Sequence, residues 1–222
     1  MRIIELSLDT QNFQEQHHFY TNILGLPLSE KTPETFTVQA GTTRLTFREA
    51  TKETGYHSAF TIPSNKLAKA KEWLAARIPL LTRNDQDEFF SEDWNSGSLY
   101  FRDAANHILE LIAHYDLQNE KPGAFGAADL LHISEIGMAF DEVPEQVKTL
   151  STAFHIEPYR NSMDEVFAAV GDISGLFIMV KIGRHWFPTS TPATVSPVEV
   201  TIEGVEGHLQ QLVLSPYHVS VR

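Results

Sequence analysis

The chain has 222 residues, 42% of them hydrophobic and 10% aromatic, a formal net charge of −12 and a pI near 5.2. That is enough apolar material for a packed core in one large domain or two small ones, and the acidity opposes the basic footprint of a nucleic-acid binder. There are no cysteines, which excludes disulfides, thiolate metal sites and a cysteine nucleophile.

From the N-terminus, MRIIELSL alternates as a strand, with Ile4, Leu6 and Leu8 on one face and Glu5, Ser7 and Asp9 on the other. It has neither the apolar centre nor the cleavage site of a signal peptide, and no later apolar run reaches the roughly 20 residues of a membrane span. The expectation is a cytoplasmic protein without membrane contacts. A helix follows at once, with Phe13, His17, Tyr20 and Leu24 on one stripe, Asn12 as its cap and Gly25 as its stop. Strand-like runs then cover 35–39 and 43–48, parted by Ala40-Gly41.

The pattern begins again at residue 57. Ser58, Phe60 and Ile62 oppose His57, Ala59 and Thr61; Ser64 is placed to cap a helix with Leu67, Lys71 and Leu74 on its buried stripe. Strands are expected over 97–102 and 107–113. Polar, Gly- and Pro-containing residues 116–128 read as a linker. A third start has Ile136, Met138 and Phe140 opposite Glu135, Gly137 and Ala139, then a helix with Pro144 in its first turn and Val147, Leu150 and Phe154 facing the core. Strands at 165–170 and 176–182 complete it. A fourth start at Val198, Val200 and Ile202 has no room for a full unit.

The repeat is therefore β-α-β-β-β, about 45 to 60 residues long, a period typical of duplicated architectures. It brings Glu5, His57 and Glu135 to equivalent positions. The predicted class is α+β: tandem β-α-β-β-β units paired into cupped mixed β-sheets with helices outside, the fourth unit reduced. Residues 1–115 are expected to form one pair of units and residues 129–222 a second, degenerate pair.

Two stretches carry a resemblance. HHFYTNILGLPL and LYFRDAANHILELIAHY are similar to the two signatures of the vicinal oxygen chelate superfamily, which includes glyoxalase I, fosfomycin-resistance proteins, methylmalonyl-CoA epimerase, bleomycin-resistance proteins and extradiol ring-cleavage dioxygenases. The likeness is good over 1–115, fair over 130–187 and weak beyond.

The resemblance implies a divalent metal (Mn, Fe, Ni or Zn) in the N-terminal cup. Its ligands fall on Glu5, His57 and Glu110, while the fourth family position falls on Arg44, which cannot bind a metal. Glu5 stands where the family usually has histidine, so the set departs from the two-histidine, one-carboxylate arrangement of non-haem iron oxygenases. Glu110 or Glu5 is the candidate proton-shuttling base. In the third unit Met179 occupies the last-strand position and is a poor ligand for a hard ion; the fourth unit offers Pro197. The C-terminal pair is accordingly expected to be a structural or dimerising partner, consistent with a homodimer.

The implied function is a glyoxalase-like metal-dependent enzyme acting on a small substrate with vicinal oxygens, through a metal-stabilised enolate or oxyanion. Its alternatives are a metal-free protein that sequesters a small molecule, as bleomycin-resistance proteins do, and an extradiol dioxygenase. Arg44 and Arg48 are candidates for holding a substrate anion, or else for pairing with Glu5 and Glu110 in a metal-free ion network. Phe89, Phe90 and Trp94 are candidates to close over an apolar ligand. Trp186 and Phe187 are expected to seal the junction between pairs, and His17 and His18 to lie on the helix surface. No Gly-rich phosphate loop, HExxH motif or Ser/His/Asp order stands out.

Overall fold

The computed structural model describes residues 1–222. Unit one comprises β1 (Arg2–Thr10), α1 (Phe13–His18), a π-helical turn over Phe19–Ile23, and then β2 (Leu28–Lys31), β3 (Thr35–Ala40) and β4 (Thr43–Glu49). Unit two comprises β5 (His57–Thr61), α2 (Leu67–Ala75), β6 (Phe89–Ser91), β7 (Ser96–Arg102) and β8 (Ile108–His114). Unit three comprises β9 (His132–Phe140), α3 (Val143–Phe154), β10 (Pro158–Met163), β11 (Phe167–Asp172) and β12 (Gly175–Lys181). The fourth unit keeps only β13 (Val198–Glu203), β14 (Gln211–Leu214) and β15 (Tyr217–Val221) and has no helix. No helix is long and apolar enough to cross a membrane.

Two mixed sheets result. One runs β14-β15-β13-β1-β4-β3-β2; the other runs β10-β11-β12-β9-β5-β8-β7-β6. Unit one therefore shares a sheet with unit four, through antiparallel β1 and β13. Unit two shares a sheet with unit three, through antiparallel β5 and β9. This corrects the expected pairing of unit one with unit two inside residues 1–115. Strand alternation tells which face of a strand is buried; it does not tell which strand edge meets which. One hydrophobic core of 47 residues extends from Met1 to Val219, so the two halves are not separately cored. Residues 116–128 are also held in place: Asn119 accepts from the Ser64 amide, and the buried Lys66 ammonium binds the Ala124 carbonyl and, at 2.9 Å, both carboxylate oxygens of Asp129.

In α1 the apolar stripe is buried at Phe13, Tyr20 and Leu24, but Gln16 rather than His17 is fully enclosed. Gln16 donates to Asp103 at 2.7 Å, which ties the helix to the β7–β8 turn. Asn12 does not cap; its amide reaches the Ala104 carbonyl instead. Nor does Ser64 cap, since α2 begins at Leu67 after Lys66. α3 matches its reading, with Pro144 in the first turn and Val147, Leu150 and Phe154 buried. The sheets are locked together at the β3–β4 turn. Gly41 has φ +57°, and a Cβ there would lie 1.8 Å from the Leu131 carbonyl oxygen just before β9, so only glycine allows this approach.

In the eight-stranded sheet, alternation sends Phe60, Leu99, Phe101, Leu109, Leu111, Ile136 and Met138 into the large core, which also takes Leu67 and Leu74 of α2 and Val147 and Leu150 of α3. The opposite face carries His57, Ala59, Thr61, Glu110, Ile112, Glu135 and Gly137, and is the floor of a cup.

Candidate metal centre

Three adjacent strands at the middle of the eight-stranded sheet each place one metal-ligand-type side chain on that floor. Ala59 of β5 pairs with Glu110 of β8 on one side and with Glu135 of β9 on the other. His57 lies two residues before Ala59 and so points to the same face. The small Ala59 side chain leaves the space between the carboxylates open. A bulge at Ser134 shifts the β5–β9 register just beyond Glu135, and such bulges re-aim the neighbouring side chain.

His57 Nε2 lies 3.6 Å from Glu110 Oε2 and 3.7 Å from Glu135 Oε2. One ligand atom from each residue falls within 4.8 Å of the others, and all three residues are buried. Ligands held about 2.1 Å from one ion stand roughly 3.0–3.4 Å apart, so the group closes on a metal with small side-chain movements. His57 Nδ1 and Glu135 Oε1 have no hydrogen-bond partner, although buried polar atoms are nearly always paired.

The electrostatics favour a cation. Burial raises the Glu110 pKa to about 7, with the Glu135 charge adding to the effect; His57, Ser98 and Tyr100 oppose it. Burial alone raises Glu135 to about 8. Burial lowers the His57 pKa, opposed chiefly by Glu110. A neutral imidazole beside two carboxylates that lack a compensating charge is the donor set a hard or borderline divalent ion requires. The group could hold such an ion.

Aromatic side chains wall the cup. Trp186 stacks on the His57 ring at 5.0 Å, and Tyr100 lies parallel to it at 6.5 Å. Phe187 meets Phe89 at 4.8 Å and Tyr100 at 5.5 Å, joining the 183–193 loop to the unit-two side. Trp94 meets Tyr159 at 5.6 Å across the other end. The open-mouthed cavity measures about 420 Å³, within the range of small-molecule sites.

Gly137 sets the position of the Trp186 wall. A Cβ on Gly137 would lie 2.6 Å from the indole and 3.3 Å from the His57 Cβ. Gly137→Ala is expected to displace Trp186 from His57 at a stability cost of about 1–3 kcal/mol. The check is a changed near-ultraviolet circular dichroism spectrum together with a lowered denaturant midpoint; an unchanged spectrum would mean the indole does not rest there.

Of the expected ligands, the structure brings His57 and Glu110 together but not Glu5. Glu5 lies on β1 in the other sheet, where it accepts from Arg222 at 2.9 Å and from Thr201 at 3.3 Å. It lines a separate cavity of about 240 Å³ with Glu199 and His218. Arg44 and Arg48 lie in that sheet too. Arg44 is exposed near Glu30 at 3.5 Å, and Arg48 pairs with Asp9 at 2.9 Å and with Glu199. They are remote from the cup, so neither a substrate-binding role in it nor a pairing with Glu110 agrees with the structure. The ion pairs on the seven-stranded sheet take the place that ligands hold on the other.

Phe89, Phe90 and Trp94 do line the cup, with Phe167, Ile178, Arg184 and Phe187. Glu135 was legible as a repeat-equivalent of Glu5 and His57, but the wrong pairing of units assigned it to an empty half. Phe187 lines the cup, while Trp186 is buried against Gly137 of unit three and His57 of unit two. Met179 is buried on the core face.

No family model matches the chain, and no curated protein matches it. Solved structures do. A Bacillus subtilis protein provisionally described as a dioxygenase aligns over 100% of this chain and 85% of its own, at 13% identity and a TM-score of 0.64. A variant of glyoxalase I from Zea mays aligns over 91% of this chain and 75% of its own, at 12% identity and a TM-score of 0.58. With the two curled sheets, these likenesses establish that the chain shares the fold of these two proteins.

Proposed function

We propose that the chain is a glyoxalase-like metal-dependent enzyme acting on a small substrate with neighbouring oxygens, its metal held by His57, Glu110 and Glu135. One observation carries this reading: three buried ligand-type side chains converge within 4.8 Å on the floor of a cup. A divalent ion bound there supplies Lewis acidity toward two vicinal oxygens.

The chain's own residues supply the rest. Trp186 and Tyr100 hold the His57 ring in plane, and Phe89, Phe187 and Phe167 exclude water from one side of the cup. Proton transfer next to a carbonyl needs a carboxylate that faces the ligand space, and Glu110 on the cup floor is the candidate. The Ser98 and Tyr100 hydroxyls favour its anion. One histidine and two carboxylates differ from the two-histidine, one-carboxylate set of ring-cleaving iron enzymes, which favours isomerase or lyase chemistry over oxygen insertion.

The aromatic lining supports a second reading, a protein that sequesters an aromatic molecule without metal. Metal-loaded protein assayed on 2-oxoaldehyde adducts, epoxides and catechols separates the readings. Turnover that falls by about 100-fold or more in Glu110→Gln, which loses a proton-transfer group, supports the enzyme. Tight binding of aromatic ligands, unaffected by metal and without turnover, supports sequestration.

A further inference from the structure

The cup holds one guanidinium that no carboxylate neutralises. Arg184 sits on the 183–193 loop after β12. This loop is braced by its own backbone bonds, Gly183 N to Ala193 O, Ala193 N to Arg184 O and Trp186 N to Thr191 O, at 2.8–2.9 Å. The Arg184 side chain is half-buried, lines the same cavity as Glu110 and Glu135, and lies over the Phe167 ring at 4.9 Å. Its one hydrogen bond is a long contact of 3.4 Å to the His185 carbonyl, and it forms no salt bridge. Arg2, Arg44, Arg48, Arg160 and Arg222 each have a carboxylate partner, and Arg77, Arg83 and Arg102, which have none, do not line the cup. Burial pushes the Arg184 pKa down, with Asp164 giving only partial relief, and its charge reaches His57.

Arg184 gives the cup one position suited to an anionic group. Two carboxylates (−2) and a divalent ion (+2) sum to zero, and His57 is neutral. Arg184 is then the one guanidinium or ammonium group lining the cup and has no ion-pair partner, while Glu92 and Asp93, which also line it, are exposed to solvent. A planar fork with free donors, on a braced loop and flattened against an aromatic ring, is suited to bidentate capture of an oxyanion.

We propose that Arg184 is the anion-recognition residue of the cup, so that its ligand carries a carboxylate or phosphoryl group in addition to its vicinal oxygens. The proposal rests on the reading of the cup as the substrate site. It replaces Arg44 and Arg48, whose guanidinium groups are engaged in the other sheet.

The test uses rigid probes whose chelating oxygens are remote from the anion: 3,4-dihydroxybenzoate, 3,4-dihydroxyphenylphosphonate and the neutral 3,4-dihydroxybenzamide. Each is titrated calorimetrically into Zn(II)-loaded and metal-free protein, for the parent, Arg184→Met and Arg184→Lys. At least one anion is expected to bind the parent about 10- to 100-fold more tightly than the amide. That preference is expected to vanish in Arg184→Met and to return in part in Arg184→Lys, with metal content unchanged in both. Which anion gains more distinguishes a carboxylate from a phosphoryl ligand. Equal binding of acid and amide to the parent, or a preference that survives in Arg184→Met, would overturn the proposal. If the parent takes up no metal the metalloenzyme reading fails, yet the acid-over-amide preference of the metal-free protein and its loss in Arg184→Met still decide the role of Arg184.

Discussion

Protein purified without added metal or a histidine tag is expected to carry close to one divalent ion per chain, and His57→Ala, Glu110→Ala and Glu135→Ala are each expected to lose it. Even an outer-shell partner of a metal ligand is worth about 10- to 100-fold in affinity, so deleting one of three direct ligands should cost about 100-fold or more. Elemental analysis of the purified proteins, followed by competition against a chelator, reads the effect. Glu5→Ala is the informative control. Its carboxylate faces Arg222 and Thr201 in the other sheet, so metal content should stay at the parent level and stability should change by less than about 1 kcal/mol, as for exposed ion pairs. Loss of metal in Glu5→Ala with retention in Glu135→Ala would invert the assignment. No uptake by the parent from Mn, Fe, Ni or Zn would end it.

The second large effect is on acid stability and comes from His114 at the end of β8. Its side chain is fully buried, and neither ring nitrogen has a hydrogen-bond partner. Burial lowers its pKa from 6.5 to about 4; the nearby Trp94 backbone opposes, Arg160 and His132 push the same way as burial, and Asp116 adds a smaller opposition. Between those two values the unfolded chain binds a proton that the folded chain refuses. Titration of His114 therefore costs nothing above pH 6.5, destabilises the fold progressively as pH falls from 6.5, and has had its full effect near pH 4. The gap corresponds to about 3 kcal/mol. Glu110 and Glu135 act with the opposite sign, since their raised values favour the folded, protonated form at low pH. For this reason the comparison is made with a variant: urea denaturation of the parent and of His114→Gln at pH 7, 6, 5 and 4. The variant should lack about 3 kcal/mol of the parent's loss over that range. Parallel curves for the two proteins would show that His114 does not titrate in this way.

The ligand set shows where reading the chain stops short. His57 and Glu110 stood out because each falls at a fixed point of a β-α-β-β-β unit, and Glu135 fell at the same point of the next. Alternation along a strand decides which side chains share a face, and that is a local property of the chain. Whether Glu5 or Glu135 completes the set depends on which strand lies beside β5. That is settled by backbone hydrogen bonds between residues more than 70 positions apart, 59 with 135, and they leave no periodic trace. Arg184 and Trp186 were hidden for a related reason. They sit on a loop whose residues follow no strand or helix period, so nothing local says what the loop leans on. On the first helix Phe13, Tyr20 and Leu24 of the stripe are buried, the chain turns π-helical over Phe19–Ile23, and the polar Gln16, which apolar periodicity does not mark, is fully enclosed.

By itself, then, the sequence determined the repeating β-α-β-β-β units, the reduced fourth unit and the faces of the strands, because apolar periodicity and turn residues act over a few positions. Only the tertiary structure decided that unit two pairs with unit three, that Glu135 joins His57 and Glu110 while Glu5 pairs with Arg222, and that Arg184 enters the cup without a counter-charge. Those outcomes depend on how distant strand edges meet, and the free energy that selects one pairing over another is spread across a single core of 47 residues.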